Sequence, residues 1–223
     1  MTLLFLLIVV AGMPLLAAIS YRNIKTLEAE ESDLKLAKTP VYIQSMIMQG
    51  GMALLAYQVC MKEEYKISLK AGLNTYSIIA ASIFLTLSLG FAYFSQKFAG
   101  KKNESTLKYL LPENNKERIM WVLAVIVAAF CEEYIYRGVL YHVLLTHTEG
   151  KIWASVLLSA IVFGFGHGTQ GEKAIIQIIP FAIGFHVMAI LSGGLLLPMI
   201  VHFIYNISVE LLFGQKIIRQ QHP

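Results

Sequence analysis

Apolar residues fall into seven long runs that are separated by more polar connections. The runs cover residues 3–19, 41–60, 74–94, 116–146, 152–167, 173–191 and 195–213. Each run is long enough to form a helix, and a bilayer is crossed only by helices or closed barrels, in which the backbone polar groups are bonded internally. The pattern therefore predicts an all-α, polytopic membrane helix bundle with about seven transmembrane helices. An eighth helix results if the sixth run is split near Pro180.

Composition and charge support this prediction. The chain of 223 residues is 57% hydrophobic and only 14% charged, whereas a soluble domain carries about 25% charged residues. The net charge is +4, but most lysines and arginines lie in short connections between apolar runs, as membrane topology requires. We therefore expect an integral, multi-pass protein of the cell membrane, with the lipid bilayer as its surroundings and no nucleic-acid partner.

The longest strongly polar connection, residues 96–118, divides the chain. Residues 112–115 (Pro-Glu-Asn-Asn) are typical of a turn that starts a helix. We expect an N-terminal three-helix membrane part at residues 1–115. A core that carries the candidate functional residues follows at 116–213, and a short polar tail at 214–223.

Three charged residues interrupt the fourth apolar run: Glu132, Glu133 and Arg137. Charges inside a membrane helix are costly unless they are paired or face a wet cavity. Glu133 and Arg137 are four residues apart, so they share a helix face and can neutralise each other. Glu132 points about 100° away and lacks a cation three or four residues later. This predicts a supporting Glu133–Arg137 pair and a reactive Glu132. The alternative is that the charges mark a helix end at the membrane surface.

Further polar residues lie in the fifth and seventh apolar runs. His167 ends the fifth run, while His202 and Asn206 lie in the seventh, four residues apart and so on one face. Glu132 and His167 are each roughly 21–23 Å from the turn near Gly150, at 1.5 Å per residue. An antiparallel helix pair would therefore bring them to the same level.

These four residues together are the groups that a hydrolytic site uses. A carboxylate, two imidazoles and a carboxamide can supply a base, a ligand for water and donors to an oxyanion. The glycines at 164, 166 and 168 are expected to leave room for a ligand or water beside His167. The alternative is that each histidine only satisfies a hydrogen bond between helices.

The order of these motifs resembles a known family. Glu132-Glu133-xxx-Arg137, Phe163-xxx-His167 and His202-xxx-Asn206 are similar to the three motifs of the CAAX prenyl protease type II family. The family is also known as the CPBP (CAAX protease and bacteriocin-processing) intramembrane proteases. The resemblance covers about residues 119–210 and leaves the first three helices uncovered.

The resemblance implies an endopeptidase that hydrolyses a peptide bond near the membrane surface, and it makes residues 116–213 a protease core. In that case Glu132 activates a water held with His167, while Asn206 and His202 stabilise the oxyanion. Glu133 and Arg137 support the site. The implied partner is a peptide or protein substrate: a CAAX-type tail, a peptide precursor or the tail of a membrane protein.

Three alternatives remain open at this stage. We expect no cofactor, but Glu132, His167 and His202 resemble a zinc-binding set. A member of the same family could also act as a non-catalytic membrane binding protein, for immunity or regulation. A small transporter that uses Glu132 and Arg137 as a relay is disfavoured because the sequence shows no two-fold repeat.

Overall fold

The described part of the chain in the computed structural model comprises residues 1–29, 37–98 and 110–214, and it is helical without any strand. Seven long helices occur in it, three of which include π-helical segments. They are α1 (Thr2–Leu6, continuing through Leu7–Gly12 into Met13–Ala29), α2 (Lys38–Lys62), α3 (Thr75–Phe98), α4 (Asn115–Glu132, continuing through Glu133–Leu140 into Tyr141–His147), α5 (Ile152–Gly166), α6 (Glu172–Ser192) and α7 (Leu196–Val209, continuing into Glu210–Gly214). The all-α prediction is confirmed. The predicted polar tail lies outside the described residues except for Gly214.

Helix α1 continues well beyond the end of its apolar run. The run stops at residue 19, whereas the helix continues to Ala29. Residues 20–29 are polar but contain neither proline nor glycine, so nothing in them breaks a helix. The end of the apolar run therefore does not mark the end of this helix.

Five of the helices are long and apolar enough to cross a membrane. They are Thr2–Thr26, Thr75–Ser95, Asn115–His147, Glu172–Ser192 and Leu196–Gly214. Helix α2, with 25 residues, is long enough to cross a membrane, but three glutamines make it less apolar. Helix α5 has 15 residues, or roughly 22 Å against a hydrocarbon core of about 30 Å. The chain is an integral membrane protein; that all seven helices cross the bilayer stays a prediction.

Helix α4 starts with a side-chain cap and changes its winding halfway. The Asn114 side chain accepts a hydrogen bond from the Glu117 backbone N–H at 3.0 Å, and Glu117 accepts one from the Glu113 N–H at 2.8 Å. This reciprocal arrangement resembles a capping box. The π-helical segment Glu133–Leu140 follows Glu132 directly. Such segments are rare and frequently occur at functional sites.

One buried apolar cluster joins α1 and α2 to the later helices. Phe5 and Val9 of α1 and Val59 of α2 are fully buried in the same cluster as Val139 and Val143 of α4. The start of α2 also binds the segment that leads into α4. The buried Lys38 ammonium lies 2.6 Å from the Leu111 carbonyl and 2.5 Å from the Glu113 carboxylate.

The connection between α2 and α3 packs on the break between α6 and α7. The Leu195 N–H donates to the Ser68 carbonyl at 2.9 Å, which fixes the start of α7. A Cβ atom at Gly72 would overlap the Ser192 carbonyl, and one at Gly194 would overlap the Lys70 carbonyl. Only glycine permits this approach of the two backbones.

Candidate active site

The buried carboxylate of Glu133 connects α4 to α7. Its side chain is completely excluded from solvent, and its Oε2 lies 3.3 Å from Nε of Arg137, one turn later. Its Oε1 lies 2.9 Å from Nδ1 of His202 on α7. One oxygen therefore faces a guanidinium and the other an imidazole.

The Arg137 guanidinium is enclosed by α5 and α6. It lies over the Phe163 ring at 4.2 Å and the Phe185 ring at 5.2 Å. Its Nη2 donates to the Ala182 carbonyl at 3.4 Å. Arginine is suited to such a position because its planar cation stacks on aromatic faces while it pairs with a carboxylate. The charges of the site are thus held by three neighbouring helices.

Glu132 is placed between the two histidines. Its Oε2 lies 3.9 Å from Nε2 of His167 and 3.9 Å from Nε2 of His202. Both distances are too long for a direct hydrogen bond, and they are of the size that a bridging water spans. The Glu132 side chain is 15% exposed, so it lies at an accessible edge of the bundle, unlike Glu133.

Each histidine is oriented through its other ring nitrogen. Nδ1 of His167 lies 2.9 Å from the Phe163 carbonyl oxygen, which can only accept, so this nitrogen carries the proton. Nδ1 of His202 donates to Glu133 in the same way. Both rings therefore turn Nε2 towards Glu132.

Of the predicted site residues, the structure brings Glu132, His167 and His202 within 3.9 Å of one another through Glu132, and no direct side-chain hydrogen bond joins Asn206 to these three described residues. Asn206 lies one turn after His202 on α7 and is half-buried. Within the described ranges its side chain makes no hydrogen bond. The amide group is thus available to a ligand next to His202.

The expectation that glycines leave room beside His167 is wrong for Gly164, whereas a Cβ atom at Gly168 would meet only ordinary contacts, the nearest at 3.6 Å. A Cβ atom at Gly164 would lie 2.7 Å from Cγ1 of Ile179 and 3.1 Å from the Ile175 carbonyl oxygen, and one at Gly166 would lie 3.2 Å from the Tyr136 hydroxyl. The space is taken by α6 and α4. These glycines allow the helices to approach each other, which sets the position of His167.

The second half of the chain is similar to a known protein family. Residues 114–208 match the family model described as Type II CAAX prenyl endopeptidase Rce1-like. Residues 114–208 are an Rce1-like domain. No curated protein and no solved structure matched the chain. The family predicted from the three motifs is confirmed, and it supports a protease-type role acting on a peptide at the bilayer.

The Rce1-like domain contains all the predicted site residues, but a further contact comes from outside it. Nε2 of Gln49, on α2, lies 3.1 Å from Oε1 of Glu132. Gln49 was not among the predicted site residues. The sequence feature that indicates Gln49 is a polar side chain inside the apolar run 41–60, where uncharged polar groups also need a partner.

The separations of Glu132 from His167 and His202 are longer than the distance of about 3.4 Å between neighbouring ligands of a tetrahedral zinc ion. Zinc lies about 2.0–2.2 Å from nitrogen and oxygen ligands and prefers tetrahedral angles. A separation of 3.9 Å between nitrogen and oxygen would open the ligand angle to about 140° at these bond lengths. In the part of the chain that the structure describes, no group of three His, Cys, Asp or Glu residues has metal-binding geometry.

Proposed function

We propose that this protein is an intramembrane endopeptidase of the cell membrane in which Glu132 activates a water molecule. The substrate would be a CAAX-type tail, a peptide precursor or a membrane-protein tail. The observation that carries the proposal is the position of Oε2 of Glu132, 3.9 Å from Nε2 of both His167 and His202. The three residues lie in the Rce1-like domain, and the Glu132 side chain is 15% exposed.

The first step would be attack of water on the scissile carbonyl carbon. A water beside Oε2 of Glu132 can donate one hydrogen to that oxygen and the other to Nε2 of His167, since Nδ1 of His167 already carries the ring proton. The lone pair of the water oxygen then points away from both acceptors. As the C–O bond forms, the proton moves to Glu132 and the carbonyl electrons move to oxygen.

His202 and Asn206 would stabilise the resulting oxyanion. Glu133 accepts from Nδ1 of His202 at 2.9 Å, and as an oxyanion donor His202 would carry a second proton on Nε2. Two carboxylates, Glu132 and Glu133, are then balanced by two cations, Arg137 and His202. The amide of Asn206 on the same face supplies a second donor.

The last step would release the amine. Glu132 passes the proton that it took from water to the leaving nitrogen, the C–N bond breaks, and the electrons of the oxyanion re-form the carbonyl. The products are a carboxylic acid and an amine, and Glu132 is again ionised. Peptide hydrolysis is thus balanced without a further reactant.

The proposal is tested with purified protein in detergent and an internally quenched, farnesylated peptide that ends in a CaaX sequence. Glu132→Gln should reduce cleavage roughly 10²–10⁴-fold because the base is lost, while the melting temperature stays close to that of the wild type. Glu149→Gln, at an exposed turn, is the matched control and should cleave normally. Near wild-type cleavage by Glu132→Gln would exclude Glu132 as the base.

A further inference from the structure

Gln49 connects the N-terminal helices to the carboxylate of the candidate site. Its Nε2 donates to Oε1 of Glu132 at 3.1 Å. The residue lies on α2, outside the Rce1-like match at 114–208. Helix α2 is held against α4 by the shared core, in which Met52 and Ala56 are buried beside α4 residues. The position of Gln49 relative to Glu132 is therefore set by helix packing.

The hydrogen bond gives the two carboxylate oxygens of Glu132 different neighbours. Oε1 is occupied by the Gln49 amide, and Oε2 is the oxygen that faces His167 and His202. A carboxylate without such a donor can rotate about its terminal torsion, which is broad and roughly two-fold.

The side-chain oxygen of Gln49 argues against a role in packing alone. Its Oε1 is buried and has no hydrogen-bond partner among the described residues. A buried acceptor without a partner destabilises the fold, and an apolar side chain of similar length would avoid this cost. The donor nitrogen is the part of the side chain that the site uses.

We propose that Gln49 is a positioning residue that fixes Oε1 of Glu132, so that Oε2 faces the reacting water. The proposal rests on the function proposed above. It assigns to α2, and not only to the Rce1-like domain, a part in orienting the base. It also predicts that Gln49 acts through Glu132 and makes no contact with the substrate.

The test compares Gln49→Met with the wild type on the same quenched, farnesylated CaaX peptide. We expect kcat to fall roughly 10-fold or more, as for loss of a hydrogen bond to a charged group, and KM to stay within about 2-fold. The melting temperature should equal or exceed that of the wild type. Gln58→Met, an exposed glutamine of the same helix, is the matched control and should leave kcat unchanged.

A second measurement separates positioning from substrate binding. In the inactive Glu132→Gln background, Gln49→Met should leave the affinity for the same peptide unchanged. A higher KM, or weaker binding in that background, would place Gln49 on the substrate and overturn the proposal. If Gln49→Met fails to fold, Gln49→Asn is measured instead, and its shorter side chain should lower kcat in the same way.

The two proposals fail in different ways. An unchanged kcat in Gln49→Met, together with an inactive Glu132→Gln, overturns only the role of Gln49. Normal cleavage by Glu132→Gln, or a wild type that cleaves no peptide, overturns the endopeptidase and with it the positioning role.

Discussion

At the scale of single residues, the adjacent glutamates Glu132 and Glu133 have opposite surroundings. Glu133 is fully buried between Arg137 and His202, whereas Glu132 is partly exposed and faces two imidazole nitrogens that it does not contact directly. Both oxygens of Glu133 are engaged, one by the Arg137 guanidinium and the other by the His202 imidazole. Glu132, whose Oε2 faces both imidazoles, is the carboxylate proposed as the base.

Arg137 provides a test at this scale. Arg137→Ala would leave Glu133 buried without its cation, which should cost about 3–5 kcal/mol of the free energy of unfolding. Thermal unfolding in detergent should show a lower melting temperature, and activity should fall with it because His202 is held by the same carboxylate. Arg137→Lys should recover part of the stability, since lysine keeps the charge but lacks the planar group that stacks on Phe163. A normal melting temperature with lost activity would instead place Arg137 directly in the reaction.

The residue contacts differ in how far sequence can predict them. The four-residue spacing indicated the Glu133–Arg137 contact, and counting residues from the turn placed Glu132 level with His167; the structure contains both. The bond from His202 to Glu133 and that from Gln49 to Glu132 depend on how α7 and α2 pack on α4. Residue spacing within one helix carries no information about either, so both were found only in the structure.

At the scale of helices, the seven apolar runs all form helices, and their ends are close to those predicted except for α1. The π-helical segment Glu133–Leu140 was not predicted. Eight residues are too few for apolar periodicity to distinguish a π turn from an α turn. Yet this segment carries both Glu133 and Arg137 and so determines which way their side chains point.

The crossing of α5 and α6 can be tested through Gly164. Gly164→Ala would place a Cβ atom 2.7 Å from Ile179 and 3.1 Å from the Ile175 backbone oxygen. The helices would have to separate, at a cost of about 1–3 kcal/mol. We expect a lower melting temperature and lower activity because α5 ends at His167. Gly50→Ala on α2 is the control, since its Cβ meets no atom within 4 Å; equal stability of the two variants would contradict the close crossing.

At the scale of the whole molecule, α1 and α2 share their core with α4. Phe5, Val9 and Val59 are fully buried in that cluster, so a chain limited to the Rce1-like domain would expose apolar surface that α1 and α2 now cover. We expect residues 105–223 expressed alone to give no folded, active protein. Co-expression with residues 1–104 should restore cleavage of the CaaX peptide. Full activity of residues 105–223 alone would show that α1–α3, with Gln49, are dispensable.

The metal requirement is the last prediction, and it follows from the spacing within the assembled site. Glu132 lies 3.9 Å from Nε2 of His167 and of His202, and we expect a water rather than a zinc ion between them. If His202 and Asn206 are oxyanion donors, His202→Ala and Asn206→Ala should each lower kcat by about 10²–10³. Strong chelators at neutral pH should leave the wild type active, and elemental analysis should find no stoichiometric zinc. One zinc per chain, lost together with activity on chelation and regained when zinc is added back, would instead make His202 a ligand and assign activation of the water to the metal.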